Sequence, residues 1–173
     1  MVDPLTVEIL LFVVVVVAVY FAFASFLFGA GYQPTPKASV EAMLSMAGVG
    51  ATDTLYDLGA GTGAIVFRAA RERRASVVAV EVEPIRVAIL RLRRYFGGPQ
   101  ERVSIRWGNV YGLDFRNATV VAVFLWPGAM ARLKPLFEAQ LGSGTRVVSH
   151  WHEVPGWVPE AHDPKAKVYL YRR

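Results

Sequence analysis

The chain begins with a long apolar run and continues with short apolar runs that alternate with helical patterns. Residues 9–28 contain no charged residue and no proline. At about 1.5 Å of rise per residue, these 20 residues span about 30 Å as a helix, the thickness of a bilayer core. The pattern predicts an N-terminal transmembrane helix, and we assign residues 1–30 to a membrane anchor.

Two other interpretations of the apolar run stay open. A cleaved secretory signal is favoured by Ala22-Phe23-Ala24, but Asp3 and Glu8 stand where a signal has basic residues, and the run is too long. A hairpin buried within the fold is the other alternative. No Lys or Arg precedes the run and Lys37 follows it, so a single-pass anchor would place the C-terminal domain on the cytoplasmic side.

Residues 31–173 read as one α/β domain that follows a Gly/Pro-rich linker. Alternation of strands and helices predicts a doubly wound, mostly parallel sheet with helices on its faces. The nearly continuous apolar run SVVAVEV at 76–82 is typical of a strand buried on both faces. The predicted helices are 37–47, 64–74, 85–96 and 129–141, and the predicted strands are 54–56, 76–82, 103–107, 119–125, 145–150 and 166–171.

The composition limits the possible active-site chemistry and the possible binding partners. The absence of cysteine excludes disulfides, thiolate zinc sites and thiol nucleophiles. The net charge is +5, and it is +7 from Gly31 onward because Asp3 and Glu8 precede that residue. Arginines cluster at 68–74 and 86–94, either as solvated helix faces or as a surface attracted to anionic lipid. Nucleic acid is not expected as a partner, since no recognition helix, zinc finger or aromatic RNA-binding motif accompanies the charge.

Three glycines separate the first predicted strand from the following helix. Gly59, Gly61 and Gly63 lack the Cβ atoms that would keep a ligand away from the backbone, and they permit positive φ. The amides that open the next helix face the same space. The sequence therefore predicts a site for a nucleotide-like ligand at the carboxyl ends of the strands.

The glycines alone fit two kinds of ligand. Residues 59–64 match the G-x-G-x-x-A fingerprint of dinucleotide-binding folds, and Glu81 lies 22 residues past the first glycine, where that fold keeps its ribose ligand. Asp57, two residues before the first glycine, separates the two possibilities. A carboxylate there would repel a pyrophosphate but can pair with a positively charged amino group.

The segment DLGAGTG at 57–63 resembles the first motif of class I S-adenosylmethionine-dependent methyltransferases. From Tyr32 to the C-terminus the chain resembles the small archaeal protein lysine methyltransferases. It is similar to their membrane-anchored mitochondrial relatives, which methylate lysines of inner-membrane proteins. The resemblance also includes YQPTP at 32–36, VEV at 80–82, GN at 108–109, ATVV at 118–121, FL at 124–125, LKP at 133–135, GTRVVSH at 144–150, GW at 156–157 and VYLY at 168–171.

The resemblance implies a seven-stranded, Rossmann-like sheet, S-adenosylmethionine as cofactor and no metal. Asp57, Gly59 and Gly61 would hold the methionine end of the cofactor, and Glu81 would accept from both ribose hydroxyls. Asn109 and Val110 would contact the adenine. The other cofactor contacts that it implies are Tyr32, Pro34, Thr35, Leu58, Gly63, Phe124 and Leu125.

The residues expected to form the substrate pocket differ from those of the resembling enzymes. Trp126-Pro127-Gly128 follows Leu125, where the resembling enzymes tend to have polar residues, and Trp151-His152 follows His150. The candidates for the substrate pocket are Ser149, His150 and Trp126. Trp126 would line an aromatic channel for a lysine stem or would be ordinary packing. His150 would accept a proton or would be a strand-end histidine bonded to the backbone.

These patterns together predict a membrane-anchored protein lysine N-methyltransferase whose substrates are membrane proteins. Deprotonation of the lysine is expected from desolvation in an apolar channel, which lowers the pKa of the amine. One alternative is a methyltransferase that acts on a lipid or an apolar small molecule. The other is an inactive, membrane-tethered scaffold that keeps the cofactor fold.

Overall fold

A computed structural model describes residues 3–27 and 33–173, without the side chains of residues 21–27. The chain divides between Tyr32 and Gln33 into two compact units. The first unit contains helix α1, Pro4–Leu27, of 24 residues. Side chains 3–19 of this unit are exposed.

The predicted transmembrane run of 9–28 falls on α1, except that Phe28 lies outside the described residues. Within the described part of the chain, no helix combines the length and the apolar character that a membrane crossing requires. The prediction of a transmembrane helix therefore has no support from the fold.

The second unit is built on a seven-stranded mixed sheet with the order β3-β2-β1-β4-β5-β7-β6. The first five strands run parallel, and β7 is antiparallel to both β5 and β6. The strand order reverses between β1 and β4, and ligands of such sheets bind at that switch point, beyond the carboxyl ends of the strands. The strands are β1 Thr54–Leu58, β2 Ser76–Glu81, β3 Val103–Trp107, β4 Val120–Val123, β5 Arg146–His150, β6 Ala161–Asp163 and β7 Val168–Arg172.

Helices cover both faces of this sheet. Alternate residues of β1 point to opposite faces, so Leu55 belongs to one hydrophobic core and Tyr56 to the other. The first core is closed by α2, α3 and part of α4, and the second by α5. These helices are α2 Lys37–Met46, α3 Ala64–Glu72, α4 Pro84–Gly97 and α5 Pro127–Gln140. The predicted Rossmann-like, doubly wound sheet is confirmed.

The observed elements differ from the predicted ones mainly in the second half of the domain, from the end of β3 onward. The predicted strand 119–125 is shorter, because the chain leaves the sheet after Val123 and α5 already begins at Pro127, a residue suited to the first helical position. Strand β6 was not predicted, since three residues with a central His162 carry no apolar alternation. The short 3-10 helix Val110–Gly112 between β3 and β4 was also not predicted.

Candidate active site

The glycine turn joins β1 to α3 at the centre of the sheet. The backbone φ is +86° at Gly59, +56° at Gly61 and +88° at Gly63, in the region that side chains disfavour. The amides of Gly59 and Ala60 both donate to the Val80 carbonyl at 2.9 Å. The turn is thereby fixed to β2, beside the switch point of the sheet.

Close packing also bears on two of the three glycines. A Cβ atom on Gly63 would lie 2.6 Å from Phe67 and 2.7 Å from Leu90, so this glycine allows α3 and α4 to approach each other. A Cβ atom on Gly59 would lie 3.0 Å from the side chain of Leu125. Leu125, a predicted cofactor contact, therefore lies against the turn.

Glu81 ends β2 and is almost fully buried. Its Oε1 accepts from the amides of Val82 and Glu83 at 3.0 and 2.9 Å, and its Oε2 accepts from the amide of Gly61 at 2.8 Å. Each carboxylate oxygen has two lone pairs, so both on Oε1 are used and Oε2 keeps one. Binding of both ribose hydroxyls, as the resemblance implies, would require the Gly61 amide or a neighbouring amide to release Glu81.

Asp57 lies in β1 beside Ala79 of β2 and is buried. Burial, and then the negative charge of Glu81, raise the pKa of Asp57 to about 7. A positively charged group placed beside this carboxyl would favour its ionised form and lower that pKa again. The site is therefore suited to an ammonium ion. Leu58, the next predicted contact, is fully buried in the core on the α5 side.

The loop after β3 brings Asn109 next to Glu81. The Gly108 amide donates to the Glu81 carbonyl at 3.0 Å, and Asn109 Oδ1 accepts from the Tyr111 amide at 3.0 Å. Asn109 is exposed, and its side-chain nitrogen can donate to an adenine ring. Val110 is half-buried and packs on the core of the α5 side, where it can contact the flat face of such a ring.

Three predicted cofactor contacts precede α2, and the structure says little about their role. Tyr32 lies outside the described residues. Pro34 is exposed and Thr35 is half-buried in the extended segment that leads into α2. Their role toward the cofactor stays a prediction.

Two groups of rings lie after β4 and at the end of β5, and we call them together the aromatic cluster. The Phe124 ring centroid lies 4.5 Å from that of His150 in an edge arrangement and 6.5 Å from that of Trp151 in a stacked one. Trp126 stacks on His152 at 5.7 Å. The members are Phe124, Trp126, His150, Trp151 and His152. The cluster begins one residue before Leu125, which places it next to the glycine turn.

His150 is the buried, polar member of the aromatic cluster. Its Nδ1 lies 3.2 Å from the Lys167 carbonyl, which can only accept, so Nδ1 carries the proton and Nε2 of the neutral ring has a free lone pair. Among the described residues, no hydrogen-bond partner reaches Nε2. Burial lowers the pKa of His150, although its hydrogen bond to the Lys167 carbonyl opposes this effect. The ring is therefore a neutral acceptor at neutral pH.

Ser149 and His150 do not come together. Successive residues of a strand point to opposite faces of the sheet, and Ser149 lies on the α5 side with Tyr171. Ser149 is fully buried there. The position favours a role of Ser149 in packing beneath the site. Trp126 is half-exposed and can meet a substrate directly, whereas His150 is only 3% exposed.

Trp151 and Lys167 were missed as site residues in the sequence. Lys167 Nζ lies over the Trp151 ring, 4.0 Å from its centroid, and the Trp151 amide donates to the Lys167 carbonyl at 2.7 Å. Both residues have positive φ, +69° and +53°. The only sequence signal was the unusual run His-Trp-His, which begins at the last residue of β5. The Trp151 ring thus forms a cation–π contact with a lysine ammonium of the same chain.

The fold and the glycine turn with Asp57 and Glu81 define a class I S-adenosylmethionine-dependent methyltransferase. The chain superposes with a TM-score of 0.78 on the crystal structure of an RNA methyltransferase from Salinibacter ruber in complex with S-adenosyl-L-homocysteine. The two are 39% identical, and the match covers 81% of this chain and 93% of that one. Residues 57–161 match the ANTKMT methyltransferase domain, so the chain belongs to the ANTKMT methyltransferase family.

Two curated relatives have named substrates. A protein-lysine N-methyltransferase of Saccharolobus islandicus (strain REY15A) is 40% identical, over 81% of this chain and 91% of the relative. The adenine nucleotide translocase lysine N-methyltransferase of Mus musculus is 31% identical, over 75% of this chain and 56% of the relative. The chain thus spans little more than half of the mouse protein. The predicted family and cofactor are confirmed: the protein is an enzyme that uses S-adenosylmethionine.

Proposed function

We propose that the enzyme transfers the methyl group of S-adenosylmethionine to lysine ε-amino groups of proteins. The observation that carries this proposal is the Lys167 ammonium on the Trp151 ring, because it shows a lysine head group against one ring of the aromatic cluster. The curated relatives support the same acceptor, since both are named as lysine methyltransferases.

His150 would prepare the lysine for this reaction. When bound, S-adenosylmethionine supplies an activated methyl group, which an unprotonated amine can take by in-line displacement. Nε2 of His150 is buried, so the neighbouring rings would have to move aside before the arriving ammonium could donate to it. Desolvation among those rings would disfavour the charge of the ammonium. Phe124 and Trp126 would enclose the lysine stem and exclude water. Asp57 and Glu81 would hold the cofactor on the other side of Leu125.

A second candidate function is methylation of RNA. It is favoured by the name of the Salinibacter ruber relative and by the net charge of +7 from Gly31 onward. Flat rings such as Trp126 and Trp151 could also stack on bases. Direct labelling distinguishes the two acceptors.

Incubation of the full-length enzyme with host membranes, host RNA and methyl-tritiated S-adenosylmethionine is expected to place label in protein, as methylated lysine after acid hydrolysis. The matched control is Asp57→Asn, which at subsaturating cofactor we expect to reduce labelling by about tenfold or more, because the cofactor site loses the Asp57 carboxylate. Label that ribonuclease removes would establish RNA as the acceptor instead. Label in the lipid extract would favour a lipid methyltransferase, and no label at all would favour an inactive scaffold.

We also propose that α1 anchors the enzyme in a membrane, with the catalytic domain on the cytoplasmic side. The support for this anchor is the sequence: residues 9–28 are uncharged and would span about 30 Å as a helix. Side chains 3–19 are exposed, and most of them are apolar. Lys37, the first basic residue after the run, supports the orientation. Such an anchor would confine the enzyme with membrane-protein substrates and raise their effective concentration.

The full-length protein is expected to stay in the membrane fraction through alkaline carbonate washing. A chain that begins at Gly31 is expected to be released and to methylate soluble basic proteins, but to label native membranes much less. Carbonate extraction of the full-length protein would reject the anchor. Equal labelling of native membranes by the full-length protein and by the shortened chain would reject the proposal that the anchor brings the enzyme to its substrates.

A further inference from the structure

The solvent side of α4 is apolar. Leu92, Tyr95 and Phe96 are 58%, 71% and 76% exposed, whereas Val87 and Leu90 are buried on the opposite side of the helix. Residues four and seven or eight apart share one face of a helix, so the exposed residues form a continuous stripe with Ala88. A surface helix normally presents polar residues to solvent. We call Ala88, Leu92, Tyr95 and Phe96 the α4 outer face.

Arginines border the α4 outer face on both sides. At about 100° per residue, Arg91 lies about 40° from Tyr95, and Arg93 lies about 60° from Phe96 on the other edge. The helix contains no Asp or Glu. Among the described residues, no carboxylate forms an ion pair with Arg91, Arg93 or Arg94. The stripe is therefore apolar in its centre and positive at its edges.

We propose that the α4 outer face docks on the surface of an anionic bilayer. An apolar stripe between basic residues is the pattern of a helix that lies in the plane of a membrane interface. Each basic residue near an anionic surface adds attraction, and Tyr95 is of a residue type enriched at that depth. This contact is additional to the proposed anchor α1 and does not depend on the methyl acceptor.

Two other occupants fit less well. A second copy of the chain would place Arg91 and Arg93 against the same arginines, which is repulsive. RNA would satisfy the arginines and could stack on Tyr95 and Phe96, but it offers nothing to the aliphatic Ala88 and Leu92. Acyl chains and anionic headgroups match both parts of the face.

Docking through α4 would bring the active site to the membrane surface. Glu83 caps α4 by accepting from the amides of Ile85 and Arg86, at 2.9 and 2.8 Å. Two residues earlier, Glu81 accepts from the glycine turn. The first turn of α4 therefore adjoins the cofactor site, and lysines at the boundary between bilayer and water would be within reach.

The absence of cysteine allows a single probe to be placed on the full-length chain. An environment-sensitive nitrobenzoxadiazole dye on Ala88→Cys is compared with the same dye on Lys165→Cys, an exposed turn after β6. Both proteins are placed in nanodiscs of phosphatidylcholine, with or without phosphatidylglycerol. We expect a blue shift and brighter emission at position 88 in anionic discs only, which high salt reduces, and no change at position 165.

Charge reversal then tests the arginines. Arg91→Glu and Lys165→Glu change the net charge equally, but only Arg91→Glu is expected to weaken docking, by roughly tenfold in the docking equilibrium. The proposal is overturned if both probes respond alike or if neutral and anionic discs give the same shift. It is also overturned if a single-stranded RNA shields position 88 while anionic lipid does not. Carbonate extraction of the same proteins reports on α1 separately, so failure of the anchor and failure of docking are distinguishable.

Discussion

The affinity for S-adenosylmethionine is expected to fall as the pH drops below about 7, by up to about tenfold per pH unit. Burial and the charge of Glu81 raise the pKa of Asp57 to about 7, so the free enzyme takes up a proton on Asp57 below that pH. The cofactor ammonium pairs with the ionised carboxyl, and binding must then release this proton. At higher pH the carboxyl is already ionised, and the affinity is expected to level off.

Calorimetric titration at several pH values, in buffers of different ionisation enthalpy, measures both the affinity and the proton release. Asp57→Asn keeps the size of the side chain but removes the charge, and we expect it to weaken binding by about 1.5 to 3 kcal/mol and to flatten the pH dependence. Asp114→Asn is the matched control, because Asp114 is an exposed partner of Arg116. An affinity that is constant down to pH 5, or an unchanged slope in Asp57→Asn, would contradict the assignment.

The same proton gives the free enzyme an unusual pH dependence of stability. The pKa of Asp57 is higher in the folded chain than its ordinary value of 3.8, so the folded state binds the proton more tightly. The contribution of Asp57 to the free energy of unfolding is therefore largest below pH 3.8 and is lost as the pH rises through about 7. Bound cofactor offsets that loss, so its stabilising effect should be greatest above pH 7.

The sequence was sufficient for the fold because its strands are short apolar runs between recognisable helices. Strand β3 was predicted at its exact bounds, and the alternation of strands and helices led to the doubly wound sheet. The glycine turn and Asp57 were placed correctly relative to β1, since local sequence determines a strand, a turn and a helix start. Strand β6 was not predictable from the sequence. Its own residues show no strand pattern, and hydrogen bonds with β7 hold it in the sheet.

The details of the site depend on contacts between distant segments. The Oε1 of Glu81 accepts hydrogen bonds from two neighbouring amides. Its Oε2 accepts from the amide of Gly61, in the turn 20 residues earlier. Lys167 reaches Trp151 because β7 lies antiparallel to β5 in a register that pairs His150 with Val168. No local pattern encodes that register. The face on which Ser149 lies does follow from strand alternation, once the strand bounds are known.

Replacement of His150 by Phe is expected to lower kcat for lysine methylation by about 10²- to 10³-fold, the range of a lost general base. A phenyl ring preserves the edge contact with Phe124 but lacks the Nε2 lone pair. Burial lowers the pKa of His150, so the ring protonates only at a pH below its ordinary value of 6.5. The wild-type rate should accordingly fall as the pH drops through this lowered pKa, because a protonated ring cannot accept from the lysine.

His152→Phe is the matched control, since His152 is also a ring of the aromatic cluster and burial lowers its pKa too. Its imidazole stacks on Trp126, and a phenyl ring keeps that contact, so we expect little change in kcat. Steady-state kinetics from pH 5 to pH 9 separate the two positions. In His150→Phe the acidic limb of the profile should disappear, while the affinity for cofactor stays as in the wild type. Full activity of His150→Phe with an unchanged profile would show that the lysine loses its proton by desolvation among the rings, and that His150 only packs against Phe124.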